Sequence, residues 1–203
     1  MAKIRREEVV SAALELLDLV GLDGLSTRRL AEKLGVESAT LYWHFRDKAA
    51  LLAEIASLVL ARHHTLDVPG DTADWPVWFA DNARSFRRAL LACRDGALLH
   101  AGTTPNPVEL AQILPKVAYL VRAGLTETDA QMALMAASQF TVGCVLEEQA
   151  RDSRSALPEH QRKEVSKSKN AQAPKLALAI SPIDPNVAFE FGLDLIVSGL
   201  RSR

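Results

Sequence analysis

The chain has 203 residues, 48% of them apolar, with 24 Lys/Arg against 25 Asp/Glu and a formal charge of −1. That length suits one small module plus one larger domain, or a single helical unit, and the charge balance excludes attachment to a polyanion by bulk charge alone. The opening MAKIRREE holds no apolar signal region, and the most apolar stretch, Ala130 to Leu146, is broken by Gln131, Ser138, Gln139 and Thr141, so no membrane span and a cytoplasmic location are expected. Cys93 and Cys144 lie in apolar helical segments without zinc-like spacing and are expected to be buried free thiols.

Apolar residues recur at helical spacing almost throughout and no strand-like alternation persists, which predicts an all-α fold. The first helix is expected over Glu7 to Val20, with Val9, Val10, Ala13, Leu14, Leu16, Leu17 and Val20 on one apolar face and Gly21 and Gly24 ending it. Ser26 or Thr27 then caps a second short helix through Leu34, Gly35 makes a turn, and Ser38 caps a third, ATLYWHF. A fourth helix starts near Asp47–Lys48 and reaches about His63.

Past a loop at 66–74, helices are predicted from Trp75 to about Cys93, over Ala97 to His100, over Val108–Ala123 and over Thr128–Ala150. Pro115 predicts a kink or a late start in the third of these. Residues 151–174 turn polar and basic and read as a mobile loop. The last helix, about Asn186 to Arg201, is apolar nearly all round and must be buried. A chain of this size cannot easily enclose both that helix and the 130–146 segment, so a homodimer joined by a helical bundle is expected. The division read from this pattern is 1–47 and 48–203.

Residues Ser26 to Lys48, STRRLAEKLGVESATLYWHFRDK, have the form of a helix-turn-helix. Leu30, Ala31, Leu34, Val36, Leu41 and Phe45 supply the inward face, leaving Ser38, Thr40, Tyr42, Trp43 and His44 outward on the second, recognition helix, whose N-terminal side chains reach base edges in such a motif. Arg28 can fork onto guanine O6 and N7, while Thr27, Thr40, Tyr42 and Lys48 suit phosphates, which set register.

TLYWHF at 40–45, following LSTRRLAEKLGV at 25–36, resembles the tetracycline-repressor family of bacterial regulators. RHHT at 62–65, NARSFR at 82–87, RDGALLHAGT at 94–103 and FTVGCVLEEQ at 140–149 resemble the inducer-binding domain of its tetracycline-sensing members. The resemblance implies a repressor that binds a palindromic operator as a dimer and is released by tetracycline chelated to Mg²⁺, controlling an exporter gene. It implies DNA contacts from Thr27, Arg28, Ser38, Ala39, Thr40, Tyr42, Trp43, His44 and Lys48. It also implies drug contacts from His64, Asn82, Phe86, Pro105, Lys116 and Leu134, direct metal ligation by His100, and metal-bound waters held by Thr103 and the Glu147 of the second subunit. Ser38 and Ala39 depart from the usual glutamine and proline, so operator preference is expected to differ. Thr104, Lys116 and Gln139 stand where the family usually has arginine, glutamine and histidine. Lys116 puts a cation near the drug, which weakens binding or selects an analogue with an extra acceptor.

The residues alone support part of this chemistry. Mg²⁺ prefers oxygen and keeps several waters, so one imidazole cannot hold it unless the ligand brings chelating oxygens; Glu147 would act through water. His63 and His64 point about 100° apart on a helix, so only one can face inward, and His64 follows Ile55, Ala56 and Leu60 better. Phe86 shares a face with Asn82, which needs a polar partner if buried. The fourth helix runs from Lys48 to the region of His64 and offers a rigid link between the halves, while the segment from the Asp95–Gly96 turn through Pro105 is expected to be a moving part.

Three rivals remain open from sequence. One is a family member induced by another molecule, motivated by Lys116, Thr104 and Gln139. Another is a small helical enzyme using His100 and Glu147 as an acid–base pair, which no nucleophile motif, phosphate loop or two-histidine spacing supports. The third is a purely structural dimer with no ligand.

Overall fold

A computed structural model of the chain describes residues 4–104, 106–155 and 183–202. Among the described residues it contains nine α-helices and no strand: α1 (Arg6–Gly24), α2 (Thr27–Leu34), α3 (Ser38–Tyr42), α4 (Lys48–His63), α5 (Trp75–Leu91), α6 (Gly96–Ala101), α7 (Pro107–Arg122), α8 (Glu127–Ser155) and α9 (Pro185–Arg201). No described helix is long and apolar enough to cross a membrane.

The first three helices fold around α1. Val9, Val10, Ala13, Leu14 and Leu17 of α1 are buried against Leu30 and Ala31 of α2, Leu41 of α3 and Phe45, and the same core takes in Leu51, Ile55, Ala56 and Val59 of α4. Helix α4 is therefore as much a wall of this small core as the connection out of it. Cys93 and Leu99, from the far side of α4, close the same cluster. Beyond it, α5, α7, α8 and α9 pack around Trp78, Phe79, Tyr119, Leu120, Phe189 and Leu193. A small third cluster, Phe86, Leu90, Ala97 and Val145, lies where α5, α6 and α8 meet.

Several expectations about helix ends change. Helix α1 continues through Gly21, whose φ of 73° breaks the regular geometry, and resumes for one more turn to Gly24. Ser26 caps α2 by accepting a hydrogen bond from Arg29 N at 3.3 Å, and Gly35 takes the left-handed position that a side chain would strain. Ser38 does not cap α3. It is the first helical residue, Glu37 precedes it without a side-chain cap, and the helix stops at Tyr42 rather than running through Phe45. Asp47 caps α4 through a 2.8 Å bond from Ala50 N.

Helix α7 passes through Pro115 instead of starting after it. Helix α8 extends to Ser155, so 151–155 of the expected loop are helical; residues 156–174 lie outside the described residues, as does Pro105. Burial of α9 within the chain is one-sided: Phe189, Leu193 and Val197 are buried, whereas Val187, Phe191 and Leu195 are more than 60% exposed. Cys93 is a buried free thiol, as expected, but Cys144 is only half-buried.

Candidate DNA-reading face and ligand pocket

The outward face of the head carries the expected side chains. Tyr42 and Trp43 are 58% and 88% exposed, an unusual way to spend large aromatic surface in a monomer. Ala39 and Lys48 are exposed, and Thr27, Ser38, Thr40 and His44 are half-buried. Arg28 projects into solvent and, among the described residues, makes an i,i+4 pair with Glu32 at 3.0 Å, a contact weak enough to exchange for a stronger acceptor. The turn after α3 is braced from α1: Arg6 stacks 4.4 Å over the Phe45 ring, donates to the His44 carbonyl and pairs with Glu54 at 2.8 Å. That brace, which the sequence did not suggest, fixes α3 relative to α4.

In the second half, His64, Asn82, Phe86, His100 and Lys116 converge. His63 is exposed while His64, at the C-cap of α4, turns inward and is half-buried. The rings of His64 and Phe86 lie 5.6 Å apart, and those of Phe86 and His100 5.0 Å apart edge-to-face, giving a row of three flat side chains from α4, α5 and α6. His64 Nδ1 is 3.0 Å from Ser85 Oγ and His64 Nε2 is 2.7 Å from Lys116 Nζ. Because the ammonium can only donate, Nε2 accepts and the neutral ring carries its proton on Nδ1, donating to Ser85. Burial first, then the charges of Lys116 and Arg88, hold His64 down to about 4; burial holds Lys116 down to about 8. Asn82 is buried in α5 and its Oδ1 has no hydrogen-bond partner in the protein, a state that costs free energy unless a ligand or water donates to it.

His100 ends α6 and is half-buried beside a recess lined by Ala56, Val59, Leu60, Leu90, Gly96 and Leu99. Burial lowers its pKa, with Glu109 opposing, so a free ring lone pair is available at neutral pH. Thr103 follows it and donates from Oγ1 to the His100 carbonyl at 3.0 Å, leaving its own lone pairs open. Leu134 is half-buried against the α5–α7–α8–α9 core, not among the three rings. Glu147 is exposed on α8, on the face opposite Val145 and Gln149, which pack toward α5 and α6. Its place on that outer face of α8 gives no support to an acid–base pair with His100 within one chain.

Six further contacts were not legible in the sequence. Asp95, in the left-handed region at φ 57°, accepts from Leu22 N at 2.7 Å, and Arg94 N donates to Asp18 at 2.9 Å. Gln149 of α8 donates to the Cys93 carbonyl at 3.0 Å and accepts from Ala97 N at 3.2 Å, holding the α5–α6 corner. Arg87 reaches Glu148 at 2.6 Å and Asn186 at 2.8 Å, tying α5 to α8 and α9. Each joins residues at least 50 positions apart, beyond the reach of any local pattern.

Comparison with known proteins agrees with both halves. Residues 9–55 match the family described as "Bacterial regulatory proteins, tetR family", and residues 68–203 match "Tetracyclin repressor-like, C-terminal domain". The chain belongs to the tetracycline-repressor family. It is 47% identical over 206 residues to the class A tetracycline repressor protein from transposon 1721 of Escherichia coli, covering 100% of this chain and 93% of that protein. A structure of class A TetR in complex with 5a,6-anhydrotetracycline and magnesium superposes with a TM-score of 0.76 at 45% identity, covering 96% of each chain. A TetR variant from Acinetobacter baumannii AYE in complex with minocycline gives 0.79 at 38% identity, covering 98% of this chain and 97% of that one. As a member of this family the chain is a transcriptional regulator with a helix-turn-helix head.

Proposed function

We propose that this chain is a cytoplasmic repressor that binds a palindromic operator as a homodimer, is released by a tetracycline-type drug bound with Mg²⁺, and governs a tetracycline-exporter gene. The observation that carries the reading is the convergence of His64, Phe86 and His100 rings beside a buried Asn82 whose Oδ1 lacks a protein partner. That is the lining expected for a flat, polar-edged ligand: aromatic faces for the rings and a few fixed polar groups for the edge.

The donor set fits a metal only as part of a ligand complex. His100 offers one neutral imidazole nitrogen, and among the described residues no group of three His, Cys, Asp or Glu side chains could hold an ion unaided. His100 would ligate the ion directly, and Thr103 and the second subunit's copy of Glu147 would hold its waters. A bound Mg²⁺ would supply positive charge beside His100 and would need most of its oxygen donors from the drug and water.

Dimerisation follows from α8 and α9. Met132, Met135 and Leu146 on α8 and Val187, Phe191 and Leu195 on α9 are exposed in the single chain, more apolar surface than a monomer usually leaves wet. Covering it with the same two helices of a second copy sets the distance between two heads, which must be about 34–36 Å to match successive major grooves. The DNA contacts are Thr27, Arg28, Ser38, Ala39, Thr40, Tyr42, Trp43, His44 and Lys48.

Release is mechanical. Helix α4 begins at Lys48 beside the reading face and is followed at its C-cap by His64 in the pocket, and α6 follows the Asp95 grip on α1 and carries His100 in its last turn. A ligand that repositions either end in the pocket tilts the head through a packed helix. Moving the population from 1:99 to 99:1 requires about 10⁴-fold preferential binding, near 5.5 kcal/mol.

The test is fluorescence anisotropy on palindromic duplexes that the chain itself enriches from a random pool, with tetracycline added in MgCl₂ or in EDTA. Release in Mg²⁺ alone is expected. Drug binding that leaves the complex intact would defeat the coupling, and drug that fails to bind would shift the reading to another inducer, the alternative that Lys116 favours by sitting on His64.

A further inference from the structure

Lys116 projects from α7 into the pocket, and among the described residues its polar partner is the Nε2 of His64 at 2.7 Å. Among the described residues it pairs with no carboxylate, in contrast to Arg84 and Arg87, which lie in the same domain and are matched by Asp81, Glu190 and Glu148. Burial alone lowers its pKa, which at about 8 still leaves the amine mostly protonated near neutrality. Arg88 adds positive potential at His64. The pocket end between α4 and α7 thus holds a cation with an imidazole for a neighbour and no counter-ion among the described residues.

We infer that the ligand supplies that counter-ion: the pocket takes a flat polycyclic molecule whose edge toward α4 and α7 carries an ionised oxygen, and Lys116 is the residue that selects for it. This rests on reading the His64–Phe86–His100 row as the inducer site. A neutral edge would strip water from the ammonium and return only a neutral hydrogen bond. An anionic oxygen turns the same contact into a charge-assisted bond in a desolvated site. It also draws Nζ away from His64, freeing Nε2 to accept from a ligand hydroxyl. Specificity here comes as much from penalising the neutral edge as from attracting the charged one.

The probes are anthraquinone-2-carboxylate and anthraquinone-2-carboxamide, matched in shape and differing in charge, titrated calorimetrically into the full chain and into Lys116→Gln. The chain should bind the carboxylate about tenfold or more tighter than the amide. Lys116→Gln should bind the two within about threefold, and Lys116→Arg, which keeps the charge and guards against a folding artefact, should restore the preference. Equal binding, preference for the amide, a preference that survives Lys116→Gln, or no binding of either probe would overturn the inference. The repressor reading fails separately. Charge-selective binding that never disturbs a protein–DNA complex would sustain the role of Lys116 and defeat induction, whereas operator release by Mg²⁺-tetracycline without charge selection would do the opposite.

Discussion

The carboxylate of Asp95 accepts a 2.7 Å hydrogen bond from the backbone N–H of Leu22, joining the first turn of α6 to the last turn of α1 across 73 positions of sequence. The approach is close because Gly21 presents no side chain. A Cβ there would lie 2.9 Å from Asp95 Oδ2 and 3.0 Å from Arg94 Nε. Since His100 lies in the last turn of α6, this contact joins the helix that carries His100 to the head without passing through α4. Asp95→Ala should lower stability by about 1–3 kcal/mol. It should also weaken inducer-driven release of DNA while leaving drug affinity nearly unchanged. Thermal melting and anisotropy together check this, and unchanged values in both would remove Asp95 from the coupling.

Gly96 is the tightest glycine on this path. A Cβ at Gly96 would sit 2.1 Å from the Leu90 carbonyl oxygen, which is backbone and cannot rotate away. Gly96→Ala should therefore cost about 2–3 kcal/mol or displace α6 from α5. A melting curve that matches the parent, with drug affinity intact, would contradict the packing described.

Arg28 is expected to act on DNA and not on the fold. Its side chain is 86% exposed and among the described residues it pairs with Glu32. Arg28→Ala should leave the melting temperature unchanged, reduce operator affinity by about 1–3 kcal/mol and relax the choice at one base pair. Competition among single-base operator variants at fixed salt measures both effects.

His64 and Lys116 make a pH prediction with a definite sign. His64 is held at about 4 in the fold against an ordinary 6.5, so the unfolded chain binds its proton first as pH falls. The native state keeps its full share of stability above about 6.5 and loses it as pH drops toward about 4, a swing on the order of 2–3 kcal/mol. Lys116→Gln removes one of the charges that depress the ring, so the His64 titration midpoint followed by proton NMR should rise. Lys116 itself, held at about 8 against an ordinary 10.5, burdens the native state below that range; the same variant should melt higher at pH 7 by an amount on the order of 1–3 kcal/mol.

Phe191 and Leu195 test the dimer. Both are more than 60% exposed on α9, one helical turn apart. Charging that stripe with Phe191→Glu and Leu195→Glu should yield a species sedimenting near the 22.1 kDa of one chain and abolish operator binding. A parent protein that is already monomeric at micromolar concentration would refute the interface.

The sequence by itself determined the local structure, because helix periodicity and caps are short-range. The Ser26 cap, the Gly35 turn, the Asp47 start of α4 and the inward choice of His64 over His63 could all be read from neighbours within a turn or two. The expectation that His64, Asn82, Phe86 and His100 belong to one pocket comes only through the resemblance carried by NARSFR and RDGALLHAGT, not from local periodicity. The early end of α3 was not legible, and neither was the passage of α7 through Pro115, because tertiary packing outweighs local propensity over so few residues. Only the tertiary structure could decide that Lys116 lies on His64, that Asp95 grips Leu22, and that one face of α9 stays uncovered. These are contacts between segments tens of residues apart, and their existence depends on how helices cross, which no single helix records.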